Sequence, residues 1–237
     1  NIFLTLIIQM KFLFILLFAL FAFPVFSQNL PANDFQSWND VTISKPLIKS
    51  KDSRGKEFER LTIFFTGASR LGNNFKNLVD QRIGVGFDYK VNKFLTLTPN
   101  YFHRSGKPRL NVREYENRFR FAATFEKKWT RFSLKDRNLI EYRLRNSRPD
   151  STRYRNKLTF SLPILKNKKE IFSTYLADDV FYEITTKSWT RNEFTAGISR
   201  KLTNNLGVDV FYLRQDNRSG LPKSVNAIGV SWKIKLD

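Results

Sequence analysis

From about residue 58 to residue 236, apolar and polar side chains alternate with period two in segment after segment. That period admits β-strands and little else. Residues 82 to 91 set Ile83, Val85, Phe87 and Tyr89 against Arg82, Gly84, Gly86 and Asp88. After a step at Asn92-Lys93, Leu95, Leu97 and Tyr101 alternate with Thr96, Thr98 and Asn100. Tyr115, Phe119, Phe121 and Phe125 oppose Glu116, Arg118, Arg120 and Glu126, and a turn is expected at Lys127-Lys128 with Trp129 opening the next strand. That strand sets Ile140, Tyr142 and Leu144 against Arg137, Glu141, Arg143 and Arg145. Residues 153 to 162, 171 to 185, 191 to 202, 206 to 215 and 225 to 236 repeat the pattern, while 35 to 44 and 58 to 67 fit it less cleanly.

Alternation by itself does not say which face meets water. A soluble barrel buries its apolar face, whereas a membrane barrel turns it to lipid and encloses the charged one. Three features favour the membrane. The segments reach about ten residues, enough for a tilted crossing. Trp129 and Trp232 stand near strand ends, where an interfacial aromatic girdle belongs. The connections also read as alternately short (92–93, 127–128, 204–205) and long (103–113, 146–152, 216–223), as periplasmic turns and outer loops do. The expected fold is all-β, an up-and-down antiparallel transmembrane β-barrel of 10 to 12 strands. Counting from residue 58 gives ten; the segment at 35–44 is then either an incomplete strand or one of twelve.

The N-terminus supplies an address. Met10-Lys11 precedes FLFILLFALFAF, then Pro24, Val25, Phe26, Ser27 and Gln28. A basic start, an apolar stretch of about twelve residues and a small residue before polar sequence describe a secretory signal peptide. Cleavage is expected after Ser27, with Met10 as a candidate start, so that residues 1–27 are leader and 28–237 a single barrel domain. An uncleaved anchor over residues 2–26 is the alternative, interrupted by Gln9 and Lys11.

Composition excludes whole classes of chemistry. The chain has no cysteine and one histidine, which removes disulfides, thiolate sites and multi-histidine metal centres. Its 41 basic and 21 acidic residues give +20, a charge that first suggests nucleic acid. Export removes that partner, and only Lys11 is lost with the leader. No cofactor or metal is expected.

Several stretches resemble a known family. DFQSWNDVTIS, YENRFRF, LIEYRLR, YRNKLTFSLPI and YLADDVFYEI are similar to the bacterial domain-of-unknown-function family numbered 2490, over most of residues 34–236. That resemblance implies an outer-membrane β-barrel without a settled activity. The last strand resembles the signal read by the barrel-assembly machinery, although it ends Leu236-Asp237 where an aromatic residue is usual.

The most informative constellation is basic. Arg118, Arg120, Arg137, Arg143, Arg145, Arg153, Arg155 and Lys157 lie on three successive strands with one parity, so they face the lumen together. Either they form a track that concentrates anions, or they are filler paired with acids such as Glu114, Glu116, Glu126, Glu141 and Glu183, since buried charges need partners. His103 and Ser105 match the His-x-Ser pair of an outer-membrane lipid A deacylase, but their parity faces lipid while the nearby acids, Glu114 and Glu116, face inward. Asp178 and Asp179 are adjacent and so point to opposite faces. Lys49, Lys51, Arg54, Lys56, Arg148, Lys187 and Arg218 are loop residues suited to lipopolysaccharide phosphates.

The expectation is a non-enzymatic outer-membrane barrel, a small pore or binding lumen for anions. Its partners would be outer-membrane lipids, lipopolysaccharide and the assembly machinery. A closed structural barrel and a lipid hydrolase using His103 and Ser105 are the alternatives.

Overall fold

The computed structural model describes residues 32–52, 55, 57–109, 112–167 and 169–237; the leader lies outside them. Eleven strands form among the described residues: β1 (Asn33–Lys51), β2 (Glu57–Gly72), β3 (Asn77–Lys90), β4 (Leu95–Arg109), β5 (Val112–Lys128), β6 (Ser133–Arg145), β7 (Ser151–Lys166), β8 (Lys169–Glu183), β9 (Ser188–Lys201), β10 (Leu206–Asn217) and β11 (Ser224–Lys235). Each pairs antiparallel with its neighbour in sequence, and β1 closes the barrel against β11.

The closing seam departs from the antiparallel, even-numbered pattern. β1 and β11 run parallel through twelve consecutive partners, from Asn33↔Ser224 to Ser44↔Lys235. The segment at 35–44 belongs to a 19-residue strand, and no twelfth strand exists among the described residues. An odd count forces one parallel pair. The long register there leaves neither terminal strand with an open edge.

The connections correct the expected alternation of short and long. One rim, here the upper, carries 73–76, 146–150, 184–187 and 218–223 and the end of β4; the lower rim carries 91–94, 129–132 and 202–205 and the ends of β1 and β7. Neither set contains a loop longer than six residues. The expected loop at 103–113 is mostly strand, because Arg104 and Gly106 continue the ladder opposite Glu116 and Glu114. Likewise β5 runs on through Lys128, and Trp129 lies in the following turn rather than opening β6. There it stacks on Phe132 at 4.5 Å between ring centroids.

The period-two pattern sorts the wall as a membrane barrel requires. Phe65, Ile83, Phe87, Phe119, Phe121, Ile140, Leu176, Ile198, Val210 and Ile228 are exposed on the outside. Glu116, Arg118, Glu141, Arg143, Arg153, Asp179 and Glu193 are buried inside. The outer wall is not wholly apolar, however. On β6 to β9 it carries Asp136, Asn138, Asn156, Asp178 and Asn192, which bond to one another: Asn156 to Asp136 at 2.6 Å and Asn192 to Asp178 at 2.8 Å.

Candidate functional site: a charged lumen

The eight basic residues picked from the sequence fall on β5, β6 and β7, and all enter the lumen or its upper mouth. Register explains their meeting. Arg118 stands across from Arg143, Arg120 from Glu141, and Glu141 from Arg153. Like charges are therefore stacked on neighbouring strands and need acids between them.

Acids supply that need in the upper half. Arg118 holds Glu116 at 2.6 Å, Arg153 holds Glu141 at 2.5 Å, Arg143 holds Glu183 at 2.5 Å and Arg155 holds Asp179 at 2.6 Å. Glu141, with no exposed surface, also lies 3.4 Å from Arg120 and 3.7 Å from Arg118. Other strands complete the network. Asp80 bonds Arg82 at 2.6 Å and also pairs with Arg104, while Arg191 reaches Glu193 at 3.4 Å. Charge-assisted bonds of this kind are the strong class.

A layer of aromatic side chains lies among these charges. Phe64, Phe102 and Phe211 turn inward against Gly86, Gly84 and Gly229 respectively; a Cβ built on Gly229 would fall 2.1 Å from the Phe211 ring. These glycines make room for rings on the inner wall. The Arg120 guanidinium lies 4.5 Å from the Phe102 ring centre, and Arg153, Arg155 and Arg191 surround Phe181. On the opposite wall Trp38, Leu213, Val225 and Ala227 form a small apolar cluster.

Two cavities flank this packed middle and share no lining residue. The upper one, about 280 Å³, is lined by the paired arginine network. The lower, about 630 Å³, is lined by Lys135, Arg137, Lys157, Lys233, Glu126 and Asp209 among others. Here the pairing is incomplete. Lys233 holds Asp209 at 2.6 Å and Lys128 holds Glu126 at 3.3 Å, but among the described residues Lys135, Arg137 and Lys157 form no ion pair. Asp179 stands across from Lys157, yet both its oxygens are turned to Arg155.

Other predicted residues are placed as follows. Glu126 is luminal but pairs with Lys128 rather than with an arginine. Arg145 sits at the upper mouth, with its guanidinium bonded to the Pro149 carbonyl. His103 Nδ1 lies 2.8 Å from the Asn117 amide oxygen and stacks on Tyr115, on the same face as Ser105. Glu114 and Glu116 are engaged from the lumen side by Arg104 and Arg148. Asp179 is buried and Asp178 exposed, on opposite faces. The basic loop residues divide between rims: Lys49 and Lys51 end β1 at the lower rim, whereas Arg148, Lys187 and Arg218 are at the upper one. Arg54 and Lys56 lie outside the described residues.

The sequence reading overlooked Asp40, Arg70, Asp80, Arg82, Arg104, Arg191 and Glu193. Each is an inward position on its strand. The same parity test on β1, β2, β3, β4 and β9 would have found them.

A family model for "Protein of unknown function (DUF2490)" matches residues 35–225. The chain belongs to the DUF2490 family. No curated protein sequence matches this DUF2490 chain. Among solved structures, the NanC porin in its rhombohedral crystal form is similar with a TM-score of 0.50 at 10% identity, over 86% of this chain and 99% of that one. The anion-selective porin from Comamonas acidovorans aligns with a TM-score of 0.37 at 14% identity, covering 77% of this chain and 58% of the porin. LpxR from Salmonella typhimurium aligns with a TM-score of 0.44 at 8% identity, over 76% and 83% of the two chains. At such identities the likeness to NanC is one of fold.

Proposed function

We propose that this DUF2490 protein is an exported outer-membrane barrel, without enzymatic activity, whose lumen draws in and holds small anions. The observation that carries the reading is the lower cavity, where Lys135, Arg137 and Lys157 face open space without a carboxylate partner. Cations focused in a cleft with low-dielectric walls raise the local concentration of anions. With the lower rim in the periplasm, that cavity opens inward, and membrane lipids, lipopolysaccharide and the assembly machinery are the other partners.

The test is a planar bilayer holding the purified protein under a salt gradient. The expected result is a small current whose reversal potential favours anions. Absence of any ion-selective current removes the conducting form of the proposal. Absence of phosphate binding by calorimetry as well removes the whole of it.

A second reading, a closed barrel with a structural or adhesive role, is favoured by the paired upper network and the phenylalanine layer. The hydrolase reading has weaker support. A serine hydrolase needs an acid to orient its base, and His103 meets the amide of Asn117 instead. Ser105→Ala, assayed for lipopolysaccharide deacylation, tests it: product formation by the wild type that the variant loses would establish an enzyme.

A further inference from the structure

The outer wall has a slot that neither the lumen nor the barrel's own packing explains. Three outward rows cross β1, β2 and β3 in register: Ile43–Phe65–Val85, Val41–Gly67–Ile83 and Asn39–Ser69–Gln81. The first row is bulky. In the second, Gly67 leaves a gap between two branched side chains. The third row is polar, with the small Ser69 at its centre. The result is a cavity of about 410 Å³ floored by Gly67, walled by Val41 and Ile83, closed toward the lower rim by Phe65 and bordered toward the upper rim by Asn39 and Ser69.

Gly67 is unlike the luminal glycines. A Cβ on Gly84, Gly86 or Gly229 would strike a ring or the opposite strand at under 3.0 Å, so inward packing demands those three. A Cβ on Gly67 would meet only the Val41 Cγ1, at 3.4 Å. Its backbone is ordinary strand, so a side chain is tolerable there, and the protein is not using the absence for itself. Glycine in a strand costs stability and marks close approach of something else.

On a transmembrane barrel the outer wall touches lipid. We propose that this slot binds one acyl chain of a diacyl glycerophospholipid, with the ester groups against the Asn39–Ser69–Gln81 row. The slot is two strand spacings wide, about 9.5 Å between the backbones of its walls, room for one hydrocarbon chain over Gly67. No Lys, Arg, Asp or Glu lines it. A neutral border of the Asn39 amide and the Ser69 hydroxyl suits the carbonyls of a zwitterionic lipid; a glycolipid bearing several phosphates would call for cations. The inference rests on the transmembrane fold alone and stands whether or not the lumen holds anions.

The test uses the full barrel in nanodiscs of phosphatidylethanolamine containing a trace of the same lipid with a photoreactive diazirine on its acyl chain. Cross-links mapped by mass spectrometry are expected to concentrate on β1, β2 and β3 at residues 39–43, 65–69 and 83–85. In Gly67→Leu, which fills the slot, labelling there is expected to fall about tenfold, the loss that two buried methylene contacts would give, with labelling elsewhere unchanged. Labelling spread evenly round the wild-type barrel overturns the proposal, and so does labelling unaffected by Gly67→Leu. Displacement by lipopolysaccharide but not by unlabelled phosphatidylethanolamine assigns the slot to the glycolipid and equally overturns it. Should Gly67→Leu fail to fold, the wild-type map decides by itself.

Discussion

Arg137 and Lys157 are direct cross-strand partners on β6 and β7, and both side chains line the lower cavity. Like charges placed directly opposite destabilise a sheet, and Asp179, the acid nearest to hand, is committed to Arg155. A bound anion would relieve that repulsion and stabilise the native barrel by mass action. Phosphate at constant ionic strength should therefore raise the unfolding temperature of the wild type in detergent. In Arg137→Gln/Lys157→Gln the response should vanish, and without phosphate the variant should be more stable by up to about 1 kcal/mol. A double variant that still responds to phosphate places the anion elsewhere.

Glu141 is the hub of the upper network, facing Arg153, Arg118 and Arg120 from a fully buried position. Its replacement by glutamine keeps the shape and removes the charge, which leaves Arg153 and Arg120 without a carboxylate and Arg118 with Glu116 alone. Breaking a buried ion pair from one side costs about 3–5 kcal/mol. Glu141→Gln is expected to lose an amount in that range in urea unfolding from micelles. Glu126→Gln, at the wet lower mouth beside Lys128, should change stability by no more than about 1 kcal/mol.

Strand existence and facing were legible in the sequence because period two is a local property. Ile140 and Glu141 need only each other to declare two sides of a wall. Partnership was legible only in part. Glu141 was recognised as a partner for the arginines, whereas for Asp179 only its facing was legible, not that it closes on Arg155, two residues along β7 from Arg153. That contact is set by register between β7 and β8, which no local pattern encodes. Strand ends were misjudged where charge was taken for loop, as at Arg104 and Lys107, because a luminal ladder and a solvated loop have the same composition. The parallel seam was invisible for a related reason: β1 and β11 lie at opposite ends of the chain, and nothing in either states its partner's direction.

Asp178 faces the outer wall on β8, five residues from Glu183 and nine from Lys169, with Leu158 and Phe194 across from it on either side. A carboxylate on the lipid face costs free energy according to its depth, and here a hydrogen bond from Asn192 offsets only part of it. Asp178→Leu is expected to stabilise the barrel in phospholipid bilayers by about 1–2 kcal/mol. The reading would come from equilibrium unfolding in liposomes. A destabilised variant would mean that the bond from Asn192 outweighs the cost of the carboxylate on that face.

The seam between β1 and β11 makes a sharp prediction because the chain has no cysteine of its own. Ser37 and Ile228 are partners across it, both on the outer wall. Ser37→Cys/Ile228→Cys should cross-link with a short bis-maleimide, which alkylates both thiols, in the folded barrel. Ser37→Cys/Ala227→Cys should not, because a one-residue step turns the second thiol into the lumen. Equal cross-linking of both pairs would refute the register.

None of Phe64, Phe102 and Phe211 lines either cavity, which makes the layer they form the candidate barrier between them. Phe64 and Phe211 fill the space beside Gly86 and Gly229, so truncating them removes volume from the lumen without touching an ion pair. Each Phe→Ala change is expected to cost about 3–5 kcal/mol if the space stays empty. Polar walls let water enter instead, and the cost should then fall toward the lower end. Opening the layer should join the two cavities. Phe64→Ala/Phe211→Ala is therefore expected to raise single-channel conductance several-fold over the wild type while keeping the sign of the reversal potential, since Arg137 and Lys157 remain in place. An unchanged conductance would mean that the paired arginines, not the rings, close the lumen, and Arg120, stacked on Phe102 and only loosely held by Glu141, would be the next residue to remove.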